Sequence, residues 1–230
     1  MTFLTIGHRG VMGVEPENTM RSFVRAERSG MDVIALDLRL SKDGTLVVLH
    51  DAEVDRTTDG SGAVTDLTLA ELRGLDAGYG QHVPVLEEVL DAVRAPLQVQ
   101  VHDLGVATAL AELLLGRDLT GRVEVASFRD EVLGETSRLV PGVRTALYAD
   151  QSAADAEATV GRAVDAGVQT LALNIRHLTL NTVESAHEAG LRVIGWTVNC
   201  LDHLRLARAL GLDGVVTDFP EIRSTGRFTA

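Results

Sequence analysis

The sequence is poor in the residues that mark several classes of protein. Its 230 residues include a single cysteine, Cys200, so the chain forms neither an intramolecular disulfide nor a cysteine metal cluster. Lysine and arginine number 21 against 33 acidic residues, and the formal net charge of −12 argues against nucleic acid or an anionic membrane surface as a partner. No apolar run reaches the ~18 residues of a membrane span, and the N-terminus lacks the pattern of a signal peptide. These absences favour a soluble cytoplasmic protein; the oligomeric state stays open.

Aromatic residues are also scarce, at 3% of the chain. A cage that binds a quaternary ammonium group needs several aromatic rings at one place. Trp196 is the aromatic residue that follows a predicted strand and can line the rim of a site. The sequence therefore offers one candidate ring for the rim, Trp196, and no obvious aromatic cage.

Strand and helix patterns alternate along most of the chain, and no linker divides it, so we predict one domain over residues 1–230. Eight strands alternating with helices favour a closed parallel (β/α)8 TIM barrel. A doubly wound open sheet is the main rival, although no Gly-x-Gly-x-x-Gly fingerprint follows a strand. The predicted strands are 3–6, 33–40, 97–102, 122–126, 144–147, 170–173, 192–195 and 214–216. The predicted helices are 20–30, 86–93, 106–115, 130–139, 153–166, 181–189 and 201–210.

The rhythm breaks between the second and third barrel strands. Ser41-Lys42-Asp43-Gly44 is a turn signal, and residues 45–50 form a short strand that returns from it. Residues 51–79 are irregular and rich in Asp, Thr and Gly, with a short helix over 68–72. We therefore predict a short hairpin and an irregular insertion at this point.

Residues suited to acid–base and anion chemistry stand at the predicted strand ends, where barrel active sites lie. The first strand leads into Gly7-His8-Arg9-Gly10, and the hairpin ends at His50. Histidine takes or gives a proton near neutral pH, and the planar guanidinium of Arg9 suits a phosphate. His8 and His50 on one rim can serve as a general acid and base pair.

Polar side chains also alternate along two barrel strands. The second strand puts Asp37 and Arg39 on one face together with Ala35, and the third puts Gln100 and His102 on one face. If the barrel closes, these faces converge with the histidines. The pattern indicates an anionic substrate and proton transfer.

Three other strand ends have simpler interpretations when each is taken singly. Asp51 and Asp218 are typical of turn or capping residues, and Trp196 is typical of a packed aromatic at a strand end. Only their joint placement on one face of a barrel favours a functional role.

A series of motifs runs from the first strand to the last and covers nearly the whole chain. They are His8-Arg9-Gly10, Pro16-Glu17-Asn18-Thr19, Ser41-Lys42-Asp43-Gly44, His50-Asp51, Arg56-Thr57-Thr58 with Gly62, the segment 83–90, Ser127-Phe128, Trp196-Thr197-Val198-Asn199 and the segment 213–220. With these motifs in this order, the chain resembles the glycerophosphodiester phosphodiesterase family.

The resemblance implies a (β/α)8 barrel that cleaves a small substrate, a glycerophosphodiester, to glycerol 3-phosphate and an alcohol, a reaction of lipid metabolism. It implies that His8 and His50 act as acid and base and that Arg9 contacts the phosphate. Glu17, Arg39 and Trp196 are expected around the pocket. The resemblance also implies a divalent cation, Ca²⁺ or Mg²⁺, held by three carboxylates.

The sequence departs from the family at the metal ligands. The family's Glu-x-Asp is Ala35-Leu36-Asp37 here, and its Glu-x-Lys is Gln100-Val101-His102. Hard cations favour charged oxygen ligands, so Asp37 with help from Gln100 or His102 predicts a weak or absent Ca²⁺ or Mg²⁺ site. His102 beside Asp37 suits a softer ion such as Zn²⁺; alternatively, a cationic His102 or Arg39 neutralises charge without a metal.

Three functions therefore stay open. The first is a phosphodiester hydrolase with an altered metal site, which the intact His8, Arg9 and His50 favour. The second is a phosphate-binding protein without activity, which Ala35 and Gln100 favour. The third is an enzyme with a different reaction on a phosphate-bearing substrate, because fold alone does not settle function.

Overall fold

The first strand, β1 (Leu4–Gly7), closes the sheet on itself because it pairs in parallel with both the second strand and the last. In this computed structural model, which describes residues 2–150 and 156–224, eight parallel strands form a barrel. The predicted (β/α)8 barrel is confirmed, and the doubly wound sheet is wrong. The other barrel strands are β2 (Val33–Leu40), β4 (Leu97–Val101), β5 (Val123–Ser127), β6 (Arg144–Ala149), β7 (Thr170–Asn174), β8 (Arg192–Trp196) and β9 (Gly214–Thr217).

Helices follow the strands and cover the outside of the barrel. The first of them is capped by the Thr19 hydroxyl, which accepts a hydrogen bond from the Ser22 amide. Within the predicted helix 153–166, residues 153–155 lie outside the described part of the chain. The helices are α1 (Met20–Arg28), α2 (Leu69–Arg73), α3 (Leu86–Ala92), α4 (Leu104–Gly116), α5 (Asp130–Leu139), α6 (Ala156–Asp165), α7 (Leu180–Glu188), α8 (Leu201–Ala209) and α9 (Glu221–Ser224).

The alternation of β2 separates an outer apolar face from the barrel interior. Ile34, Leu36 and Leu38 are at most 1% exposed and pack beneath the helices. Burial of each such side chain contributes about 1.5–3 kcal/mol. Ala35 belongs to a second cluster inside the barrel, in which four of the eight buried residues are alanine. The same alternation turns Asp37 inward, so local pattern sets the direction of the site residue.

A series of buried side-chain hydrogen bonds runs down the barrel interior. The Tyr148 hydroxyl donates to Gln98 Oε1 at 2.5 Å, and Gln98 Nε2 donates to Glu124 Oε2 at 2.8 Å. Glu124 Oε1 accepts from Thr170 and Arg192, each at 2.9 Å. Because every member has a partner, polar groups replace apolar packing here without an unsatisfied atom among these contacts.

The hairpin and the insertion have a small core of their own. Strand β3 (Leu46–Val48) pairs antiparallel with β2 on the outside of the barrel, shorter than the predicted 45–50. The insertion includes a 3₁₀ turn (Val64–Asp66) and α2, whose Thr68 and Glu71 form a capping box. The Leu49 amide donates to the Asp37 carbonyl at 3.1 Å, which brings His50 back over the barrel mouth. Buried apolar residues that hold this unit together are Val47, Leu49, Val54, Val64, Leu72, Ala77, Val83 and Val85.

None of the described helices has the length and apolar character needed to cross a membrane.

Candidate active site

The turn after β1 presents His8 and Arg9 at the barrel mouth. The His8 amide donates to the Thr217 carbonyl at 2.8 Å, which ties the turn to the last strand. Gly10 has φ +86°, and a Cβ on it would lie 2.2 Å from the Ser22 hydroxyl oxygen. Arg9 itself has φ +49°, in the left-handed region that non-glycine residues rarely adopt. The glycine thus lets the chain turn tightly enough to place both side chains over the strand ends.

Each of the two histidines is anchored by a carboxylate. His8 Nδ1 lies 2.7 Å from Asp218 Oδ1, and His50 Nδ1 lies 2.6 Å from Asp51 Oδ1. Such a bond sets the orientation of an imidazole and leaves its Nε2 for other chemistry. The simpler interpretation of Asp51 and Asp218 as turn residues misses this pairing, since both carboxylates meet a histidine ring.

Glu17 joins two arginines behind the histidines. Its carboxylate accepts from Arg9 Nη1 at 2.8 Å and from both terminal nitrogens of Arg56 at 2.8 Å each. Burial alone raises the pKa of Glu17, but the hydrogen bonds and charges of Arg56 and Arg9 outweigh it and hold this pKa below its usual value. Arg56 Nε also donates to Asp51 Oδ2 at 2.6 Å. One network of ion pairs therefore links Arg9 to the carboxylate that anchors His50.

Asp37 is 3% exposed and surrounded by donors. Its Oδ2 accepts from Asn18 Nδ2 at 3.0 Å and lies 3.3 Å from Arg9 Nε, while its Oδ1 lies 3.2 Å from His102 Nε2. Burial raises the pKa of Asp37, but the His102 hydrogen bond, the Arg9 and His50 charges and the Asn18 hydrogen bond outweigh it and lower the pKa to about 2. Asp37 is thus a buried carboxylate anion near neutral pH.

The arrangement of three carboxylates that would hold Ca²⁺ or Mg²⁺ does not fit these residues. Ala35 supplies no ligand atom, and Gln100, which pairs in register with Asp37, supplies no charge. The Asp37 carboxylate is already hydrogen-bonded to Asn18 and His102 and paired with Arg9. A different group in the described chain could hold a cation: Asp37, His50 and His102 offer ligand atoms that all lie within 4.8 Å of one another.

A cavity of about 220 Å³ opens at the barrel mouth. Of the predicted site residues, His8, Arg9, His50, Gln100 and Trp196 line it. The other predicted residues, Asp37, His102, Glu17 and Arg39, lie outside this lining.

Arg39 supports the hairpin end. Its Nε and Nη2 donate to the His50 carbonyl at 3.0 and 2.6 Å. Arg39 therefore holds the backbone of His50.

Two aromatic rings that the sequence did not single out join Trp196 at the rim. Phe128, Tyr148 and Trp196 meet in the cavity wall, with ring centroids 5.5–6.0 Å apart. Low aromatic content does not prevent local concentration, because β5, β6 and β8 each end at the same rim. The signal for Tyr148 is its period-two relation to Ala146 on β6, which both turn inward. For Asn18 and Arg56, the only indication in the sequence is that each lies in one of the motifs shared with the family.

A closed barrel with two carboxylate-anchored imidazoles and a guanidinium at its strand ends defines a (β/α)8 protein with a polar site at the barrel mouth. The chain matches the Glycerophosphoryl diester phosphodiesterase family over residues 8–222, and it belongs to that family. It is 31% identical to a glycerophosphodiester phosphodiesterase of Caldanaerobacter subterraneus, over 96% of both chains. It is 33% identical to one of Bacillus subtilis, over 95% of this chain and 84% of that one.

Solved structures show the same architecture. An Oleispira antarctica phosphodiesterase in complex with the product sn-glycerol-3-phosphate has a TM-score of 0.89 and 27% identity, with 96% of this chain and 95% of that one covered. A glycerophosphodiester phosphodiesterase from Thermotoga maritima has a TM-score of 0.86 and 26% identity, with 99% of both chains covered. The family is one of phosphoric diester hydrolases.

Proposed function

We propose that this chain, acting as one domain, hydrolyses glycerophosphodiesters to glycerol 3-phosphate and an alcohol, with His8 and His50 as the acid and base. The observation that carries the proposal is that both imidazoles are anchored by carboxylates at Nδ1 and line one cavity together with Arg9. The Oleispira antarctica phosphodiesterase, solved with sn-glycerol-3-phosphate, supports the same class of substrate.

The two histidines divide the proton transfers of the reaction. One Nε2 takes a proton from the attacking water as the new P–O bond forms. The other Nε2 gives a proton to the alcohol oxygen as the old P–O bond breaks. Asp51 and Asp218 keep each ring in the tautomer and direction that these transfers need, because they hold Nδ1. The turnover leaves the proton on the base and none on the acid, and exchange of one proton with solvent at each ring restores the starting state.

Arg9 is suited to hold the phosphoryl oxygens. Its guanidinium lines the cavity, and Glu17 fixes one of its terminal nitrogens at 2.8 Å. The indole Nε1 of Trp196 is buried and has no hydrogen-bond partner among the described residues. It can therefore donate a hydrogen bond to an oxygen of the ligand. The positive charge of the Arg9 guanidinium stabilises the anionic transition state. No step in this scheme passes through a Ca²⁺ or Mg²⁺ ion.

The test is release of glycerol 3-phosphate from a panel of glycerophosphodiesters, with and without chelator. His8→Ala and His50→Gln should each lower kcat/KM by roughly 10²–10⁴-fold, since general acid–base groups contribute about that much. His187→Gln is the matched control, because His187 also pairs with a carboxylate (Asp213, 2.9 Å) but lies outside the cavity lining. Turnover that survives both cavity substitutions would overturn the two-histidine mechanism.

A second candidate is a protein that binds the phosphate without cleaving it. The alanine and glutamine at two expected metal ligands, Ala35 and Gln100, favour it. Calorimetry with glycerol 3-phosphate distinguishes the two: binding without turnover on the whole panel supports the second candidate, and His8-dependent turnover excludes it.

A further inference from the structure

One carboxylate and two imidazoles meet beside the candidate catalytic cavity. Asp37 Oδ1 lies 3.2 Å from His102 Nε2, and the potential ligand atoms of Asp37, His50 and His102 all lie within 4.8 Å of one another. The rings of His50 and His102 pack edge to face, with centroids 5.4 Å apart. Each group comes from a different part of the sheet region, namely β2, the hairpin end and the end of β4.

This donor set has the composition of an imidazole-rich transition-metal site. Zn²⁺ binds nitrogen and carboxylate oxygen at about 2.0–2.2 Å in a tetrahedron, which puts neighbouring ligand atoms roughly 3.3 Å apart. The Asp37–His102 separation of 3.2 Å matches one edge, and the proton that the two atoms share in their hydrogen bond leaves His102 Nε2 as the ion binds. The remaining separations, which are at most 4.8 Å, would need to contract to that length. Three protein ligands leave the fourth position open.

The two carboxylate oxygens of Asp37 have different neighbours. Oδ2 faces Asn18 and Arg9, whereas Oδ1 faces His102. A cation on the Oδ1 side therefore leaves the bonds at Oδ2 in place. His50 is equally prepared, because Asp51 holds its Nδ1 at 2.6 Å and so orients Nε2 as an outer carboxylate does for a metal-bound histidine.

The same residues disfavour hard cations. Ca²⁺ and Mg²⁺ need several charged or carbonyl oxygens, and this group offers one carboxylate and two nitrogens. Imidazole suits Zn²⁺ and similar first-row ions. The two imidazole nitrogens thus make the site selective for Zn²⁺ over Ca²⁺ and Mg²⁺.

We propose that Asp37, His50 and His102 form a binding site for Zn²⁺ and that the bound ion takes His50 out of proton transfer. The lone pair of His50 Nε2 is donated to the ion, so this nitrogen can no longer accept or return a proton. Zn²⁺ is then an inhibitor of the hydrolysis rather than its cofactor. The inhibition rests on the proposed function, while the binding does not.

The binding test is calorimetric titration of the full chain with Zn²⁺, after removal of metal with chelator. We expect one ion per chain, no competition from millimolar Ca²⁺, and at least about tenfold weaker binding in His102→Gln, since loss of even an outer-shell partner of a ligand costs about 10–100-fold in metal affinity. His187→Gln is the matched control and should bind as wild type does. Equal Zn²⁺ affinity in wild type and His102→Gln overturns the site. If circular dichroism shows that His102→Gln is misfolded, His50→Gln takes its place in the same comparison.

The activity test measures glycerol 3-phosphate release against Zn²⁺ concentration. In wild type, turnover should fall at least about tenfold as the site fills, and the concentration for half inhibition should follow the calorimetric affinity. His102→Gln should need correspondingly more Zn²⁺. Activation by Zn²⁺, or inhibition that is the same in both proteins, overturns the inhibitory role. If no glycerophosphodiester is cleaved at all, the proposed function fails while the binding result still stands.

Discussion

Nδ1 of His8 lies 2.7 Å from Oδ1 of Asp218, although 210 residues separate them in the chain. Barrel closure brings them together, because Gly7 at the end of β1 pairs in register with Thr217 at the end of β9. The first and last strands therefore build one half of the candidate acid–base pair. Asn199 strengthens the arrangement, since its amide nitrogen donates to the other oxygen of Asp218 at 2.5 Å.

Replacing this carboxylate should impair turnover more than folding. Asp218→Asn keeps the shape but offers His8 a weaker partner, so we expect kcat to fall by roughly 10–100-fold, less than the about 10²–10⁴-fold that a general acid–base group itself contributes. Steady-state kinetics on the glycerophosphodiester panel measure this. Asp202→Asn, an exposed position on α8, is the control. A normal kcat in Asp218→Asn would show that the pairing does not support catalysis.

Glu17→Gln should destabilise the protein and change its response to acid. The substitution leaves Arg9 and Arg56 without their shared carboxylate, and charged hydrogen bonds contribute about 1.5–3 kcal/mol each. Because the folded pKa of Glu17 lies below its ordinary 4.5, its stabilisation is full above that pH and is lost as the pH falls through the folded pKa. Urea unfolding at pH 7 and pH 3 measures both effects.

The comparison with wild type sets the sign of that acid response. The difference in free energy of unfolding between wild type and Glu17→Gln should be largest at pH 7 and shrink at pH 3. Glu135→Gln, which breaks the exposed pair with Arg138 on α5, should change little at either pH. A difference that grows toward pH 3 would contradict the account.

Tyr148→Phe should weaken the barrel from the inside. The substitution removes the hydroxyl that donates to Gln98 Oε1 and leaves that buried oxygen unpaired, at a cost of about 1–3 kcal/mol. Thermal and urea unfolding measure the loss. Tyr79→Phe is the matched control, because Tyr79 is 78% exposed. Equal stability of both variants would mean that the hydrogen bonds linking Tyr148 to Glu124 through Gln98 contribute nothing to the free energy of unfolding.

Restoring carboxylates should create affinity for a hard cation. Gln100→Glu places a second negative charge opposite Asp37 in the register of β2 and β4, and Ala35→Glu adds a third on the same inward face. Ca²⁺ affinity rises with ligand charge, so we expect at least about a tenfold gain in the double variant over wild type. Calorimetry with Ca²⁺ measures it. Asp103→Glu, a helix cap that keeps its charge, is the control.

Much of the fold follows from local pattern alone. The alternation along β2 predicts that Leu36 and Ala35 lie on opposite faces of the strand, and the structure places them in two separate apolar clusters. Helix bounds agree to within a residue or two where caps such as Thr19 set them, as at the start of α1. Strand faces and helix bounds depend on residues only a few positions apart, so the periodicity of the sequence predicts them.

The distances between site residues depend on barrel closure, which no local pattern carries. The sequence by itself determined the barrel class, the polar strand ends and the loss of two expected metal carboxylates at Ala35 and Gln100. Only the tertiary structure decided that Asp218 meets His8 and that Phe128 and Tyr148 join Trp196. The physical reason is that strand register and closure convert positions far apart in the chain into contacts of about 3 Å, at which hydrogen bonds and ion pairs act.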